Sequence, residues 1–131
     1  MRRAVVPFAF ALAFAFPVQS PAATYVSHYL TDCEPVSYKD PASGVTFTVE
    51  KDGAHLVATG ADGRQLWRRE PHADAKVQEY RTATPCIVFM GVPPDWMIKG
   101  KNGRYLGINF NNSQFGIVDI GNGDFTFMGQ D

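Results

Sequence analysis

Turn-forming sequences punctuate this chain about every ten residues, and that spacing limits the fold more than any other feature. Lys51-Asp52-Gly53, Ala61-Asp62-Gly63, Pro71-His72-Ala73-Asp74, Val92-Pro93-Pro94-Asp95, Lys101-Asn102-Gly103, Asn111-Asn112-Ser113 and Gly121-Asn122-Gly123 are the signals. Asp-Gly and Asn-Gly tolerate the positive φ that tight hairpins require. Too little chain lies between them for long helices. The intervening runs are rich in β-branched and aromatic residues: 45–50, 54–60, 64–69, 77–81, 86–91, 104–110, 114–120 and 124–128. Several alternate. Val45, Phe47 and Val49 share one face of an extended chain, as do Leu106, Ile108 and Phe110, and then Phe125 and Phe127. The expected fold is all-β, an antiparallel hairpin meander forming a small β-sandwich or a partly open barrel. The segment 24–43 is ambiguous, because Tyr25, Val26, Tyr29 and Leu30 suit either a strand or one short helix.

An offset of 60 residues lays Asp62-Gly63 over Asn122-Gly123 without a gap. It also places Asp52 on Asn112, Val57 on Ile117 and Trp67 on Phe127. The stretch Leu56 to Trp67 (LVATGADGRQLW) resembles a blade repeat of the quinoprotein-type β-propellers, and Asp119 to Phe125 echoes it more faintly. The resemblance implies two blade-like units. A closed propeller needs at least four, so two packed sheets or an open barrel is the form that fits the length.

The first 23 residues read as a secretory signal peptide, leaving residues 24–131 as a single domain. Arg2 and Arg3 precede an apolar run from Ala4 to Phe16, and small residues follow up to Ala22 and Ala23, after either of which cleavage fits. The run has 13 residues, whereas a spanning helix needs about 20, so no membrane anchor is expected. Removing the leader leaves ten basic against thirteen acidic residues, which gives nucleic acid or anionic lipid no electrostatic attraction. Cys33 and Cys86 are the only cysteines. In an exported chain they are expected to form a disulfide, in a periplasmic or secreted location.

Signatures of catalysis are missing. The chain has no G-x-S-x-G elbow, no C-x-x-C, and no H-x-H or H-x-x-x-H among His28, His55 and His72. A metal site could assemble from distant strands, for instance His72 with Asp74, but a lone surface or hairpin histidine is the commoner reading. Gly121-Asn122-Gly123-Asp124 lacks the ligand spacing of a calcium loop. No enzyme activity, cofactor or metal is expected, although carboxylates paired across a sheet would not be visible in sequence.

Two features suggest recognition instead. Two prolines stiffen the loop that carries Trp96, which serves either as an exposed anchor or as a lid on the core. Asn109 to Gln114 (NFNNSQ) sets Asn111, Asn112, Ser113 and Gln114 at a hairpin tip, where donor-acceptor side chains suit a polar cleft or a sugar as well as an ordinary turn. The basic residues Arg68-Arg69, Lys99, Lys101 and Arg104 fit guarded strand edges. In class and size, with Asn111-Asn112-Ser113 as the matching element, the chain is similar to periplasmic immunity proteins that neutralise cell-wall amidases. That similarity implies a protein-binding inhibitor whose partner is another protein of the cell envelope, with Ser113 plugging a Cys-His cleft. The alternative is an envelope accessory or carbohydrate- or peptidoglycan-binding domain, with Trp96 and Tyr105 stacking on the ligand.

Overall fold

A computed structural model describes residues 32–131. The leader reading and the Tyr25–Leu30 arm lie outside the described residues. Eight strands follow in order: β1 (Ser37–Lys39), β2 (Thr46–Val49), β3 (Leu56–Thr59), β4 (Gln65–Arg69), β5 (Ile87–Gly91), β6 (Tyr105–Phe110), β7 (Phe115–Asp119) and β8 (Phe125–Gly129). Each group of four forms an antiparallel meander, β1-β2-β3-β4 and β5-β6-β7-β8, and among the described residues no barrel closes. Two single-turn helices, α1 (Pro71–Asp74) and α2 (Asp95–Ile98), sit on two of the connections. The protein is thus a small all-β sandwich of two sheets.

Alternation builds the core. Val45, Phe47 and Val49 with Leu56, Ala58 and Trp67 come from the first sheet, and Ile87, Met90, Leu106, Ile108, Phe110, Val118 and Ile120 from the second, and together they make one buried cluster. Phe47 and Ile108 are completely buried, and each such side chain contributes about 2–3 kcal/mol. Trp67 stitches the layers: its ring lies 5.9 Å from Phe47, and its Nε1–H donates to the Ile120 carbonyl at 2.8 Å. Arg69–Asp124 at 3.1 Å and Arg104–Asp40 at 2.8 Å tie the sheets at their rims. Cys33 and Cys86 are joined, closing a loop with a sequence separation of 53. By the chain-entropy relation this is worth about 4 kcal/mol.

Three sequence expectations change. The run 77–81 is not a strand; among the described residues its only ladder contact is an isolated bridge between Tyr80 and Thr82. Lys76 and Arg81 sit at φ 54° and 65°, which breaks an extended path on both sides. The carbonyls of Gln78 and Tyr80 accept side-chain donors instead of a neighbouring strand. Second, Ser37–Lys39 forms a strand within the ambiguous segment, paired with β2 from Ser37↔Thr48 to Lys39↔Thr46. Third, the repeat is not gap-free. β4 falls on β8 at an offset of 60, but the inward residues Val45, Phe47 and Val49 match Leu106, Ile108 and Phe110 only at 61. Six residues separate the paired Val49 and Leu56, whereas five separate Asn109 and Phe115. One residue in a turn moves a strand to its other face unless the strand slides with it.

Candidate functional site

The hairpin tip that attracted notice in the sequence divides into inward and outward parts. Asn112 is completely buried and Gln114 is 1% exposed. Gln114 Oε1 accepts from Asn112 Nδ2 at 2.8 Å and stands 2.6 Å from His72 Nε2. An amide oxygen only accepts, so His72 carries its proton on Nε2. Gln114 Nε2 donates to the Gln78 carbonyl and to Gln130 Oε1, each at 2.9 Å, and Asn112 Nδ2 also donates to the Tyr80 carbonyl at 2.9 Å. Every polar atom of Gln114 is engaged, and the pair clamps α1, the 77–82 segment and the carboxyl-terminal residues onto the β6–β7 hairpin. Asn111 is half-buried, and its Oδ1 accepts the Cys86 N–H at 3.1 Å beside the disulfide. Ser113 is half-buried at φ 79°.

A polar cluster rims the other end of α1. Asp52 Oδ1 accepts the N–H groups of Ala54 (2.9 Å) and His55 (3.0 Å), and Oδ2 lies 2.5 Å from His55 Nδ1. These backbone donors, followed by the His55 ring, pull the Asp52 carboxyl down to about 2. Glu50 meets Arg68 in a two-point pair at 2.8 and 2.7 Å, which lowers its pKa and raises that of Arg68. Glu50, Asp52 and His55 offer ligand atoms within 4.8 Å of one another, but the Glu50 and Asp52 oxygens are already bonded to protein donors. These bonds fix the turn. Nearby, Asp52, Glu70, His72, Thr84 and Pro85 line a cavity of about 310 Å³. The His72–Asp74 pairing is not assembled as a ligand pair either, because Asp74 Oδ2 accepts the Glu70 N–H at 3.0 Å while His72 addresses Gln114.

The outward face of the second sheet differs in character. Leu106, Ile108 and Phe110 point into the core, so Tyr105, Gly107 and Asn109 point away from it. Register sets Phe89, Asn109, Phe115 and Gly129 in one row across four strands, and Gly91, Gly107 and Ile117 in the next. Glycine makes room for rings in both rows. A Cβ on Gly91 would lie 3.0 Å from Phe89 Cζ, and one on Gly129 would lie 3.0 Å from Phe115 Cζ. The two rings therefore lean over bare backbone. The loop after β5 crosses this face, with Pro93 Cα 3.3 Å from where a Gly107 Cβ would be. Ile117 and Met97 are buried there although both stand outside the main core cluster.

Trp96 stands on this loop. It is 61% exposed and meets Phe115 edge-to-face at 6.3 Å. Trp96 is thus not a core lid. Phe89 is 54% exposed and shares its row with Phe115, the ring that Trp96 meets, so two of the five large exposed hydrophobic side chains among the described residues, Phe89 and Trp96, belong to this face. Phe89 and Phe115 escaped the sequence reading because nothing local marks them. The signal is two-dimensional: aromatics on the non-core phase of β5 and β7, beside glycines at 91, 107 and 129. Tyr105 is half-buried, two positions along β6 from Gly107, in the row of Asp119 rather than that of Phe89.

Among the described residues no helix is long and apolar enough to cross a membrane. The chain matches no family model, no curated protein and no solved structure.

Proposed function

We propose that this is an exported, non-catalytic binding protein of the bacterial cell envelope that holds a carbohydrate of the wall on the outward face of its second sheet. The observation that carries the reading is the exposed Phe89, with Trp96 packed on Phe115 two strands away and the Asn109 side chain exposed in the row between Phe89 and Phe115. Rings held by packing lose little freedom on binding, which is how aromatic anchors gain affinity. Export to the periplasm is supported by the basic-apolar-small order of residues 1–23 and by the disulfide, a bond that oxidising compartments favour.

Trp96 supplies its own assay. The other tryptophan, Trp67, is 9% exposed with its indole N–H bonded inside the sandwich, so emission changes on ligand addition report on Trp96. Soluble peptidoglycan fragments are expected to shift or quench the emission of the wild type and leave that of Trp96→Phe unchanged. No change with wall fragments, together with no heat of binding, would reject the reading.

An inhibitor of a cell-wall amidase is the second reading, favoured by one observation. Ser113 is held in a left-handed conformation that costs an L-residue about 1–2 kcal/mol, and such strain concentrates where a side chain is used. In that reading Ser113 and Asn111 alone would enter the target's cleft, since Asn112 and Gln114 are turned inward.

A further inference from the structure

The geometry points to a linear, uncharged oligosaccharide laid across strands β5 to β7, stacked at two places, as the ligand of the outward face; this rests on the carbohydrate reading above. Phe89 and Phe115 are each the direct cross-strand partner of Asn109. Neighbouring strands lie about 4.8 Å apart, so the two aromatic positions stand roughly 10 Å apart with one carboxamide between them. A single pyranose ring cannot touch both. An extended chain of sugars can, with one unit on Phe89, another against Phe115 and Trp96, and a middle unit over Asn109. Asn109 is exposed, and its amide both donates and accepts, which matches the hydroxyl and N-acetyl groups of a sugar.

Charge and shape narrow the class further. No charged side chain belongs to the row Phe89, Asn109, Phe115, Gly129 or to the residues Gly91, Gly107 and Ile117 beside it. These two rows therefore offer a charged polymer no counter-charge, and the exposed Asp95 beside Trp96 disfavours an anionic one. The rings leaning over Gly91 and Gly129 make a low surface that suits flat sugar faces.

Chain length is the deciding variable. Purified protein is titrated with N-acetylglucosamine and its β-linked di-, tri- and tetrasaccharides, following Trp96 emission and the heat of binding. Affinity is expected to rise at least about tenfold between the mono- and trisaccharide, and Phe89→Ala and Asn109→Ala are each expected to remove about tenfold from trisaccharide binding and little from the monosaccharide. Both residues are exposed, so the variants remain folded, and thermal melts check this. Equal affinity for mono- and trisaccharide would overturn the two-place inference while leaving carbohydrate binding intact. No binding of any saccharide would overturn the inference and the carbohydrate reading together. A photo-crosslinker at position 96 that then captures a protein would make the face a protein interface.

Discussion

Gly53 and Ser113 occupy equivalent places in the two halves of the molecule. Each is the left-handed residue of the turn after the second strand of its sheet, at φ 73° and 79°, and each N–H returns to the carbonyl three residues back, Glu50 at 2.9 Å and Phe110 at 3.1 Å. The later turns hold Gly63 and Gly123 at φ 87° and 83°, so Ser113 alone among these four pays the left-handed cost. The equivalent positions also differ in their surroundings. A Cβ on Gly53 would fall 2.5 Å from Cys86 Cβ. Ser113→Gly is therefore expected to raise unfolding stability by about 1 kcal/mol, and Gly53→Ala to lower it by about 2 kcal/mol or more. Urea midpoints at constant m-value measure both. Loss of stability in Ser113→Gly would show that the serine side chain holds the turn, and would remove the strain argument for its use in recognition.

The β2–β3 turn is an element whose stability depends on charge. Asp52 binds two backbone N–H groups and the His55 ring, and its folded pKa is about 2 against an ordinary 3.8. A carboxyl depressed on folding contributes stability above its unfolded pKa and loses it as pH falls through the folded one. Asp40, bonded to the Ser43 hydroxyl and to Arg104, and Glu50 on Arg68 act in the same direction. Stability is expected to stay level on acidification until about pH 4 and then to fall toward pH 2. In Asp52→Asn the fall should be shallower. Thermal melts through that range check it, and an unchanged slope in the variant would place the acid sensitivity elsewhere. At this scale most strands were legible, because alternation such as Val45, Phe47, Val49 and the Asp-Gly turns are local signals. The run 77–81 was misread for a physical reason. Val77 and Tyr80 are strand-favouring residue types, but the carbonyls of Gln78 and Tyr80 are claimed by Gln114 and Asn112, more than 30 residues away in sequence.

At the scale of the whole molecule, two meanders share one core, the disulfide pins residue 33 to the second sheet, and the second sheet keeps an apolar patch on its far side. The all-β class and the cysteine pair followed from the sequence. The surface did not. Phe89 and Phe115 lie 26 positions apart and come to flank Asn109 only through the register of β5, β6 and β7, one irregularity of which falls between Ile87 and Phe89. Trp96 was legible as a stiffly held aromatic, whereas Asn112 and Gln114, polar residues at a turn, gave no sign that α1 and the chain terminus would cover them. Where ligand meets protein is the decisive point. Amide chemical-shift mapping with the trisaccharide of N-acetylglucosamine tests this most directly. The expected shifts fall on Phe89, Gly91, Trp96, Asn109 and Phe115, with the 111–114 turn and the cavity beside His72 unmoved. Shifts confined to that turn or that cavity would contradict the account.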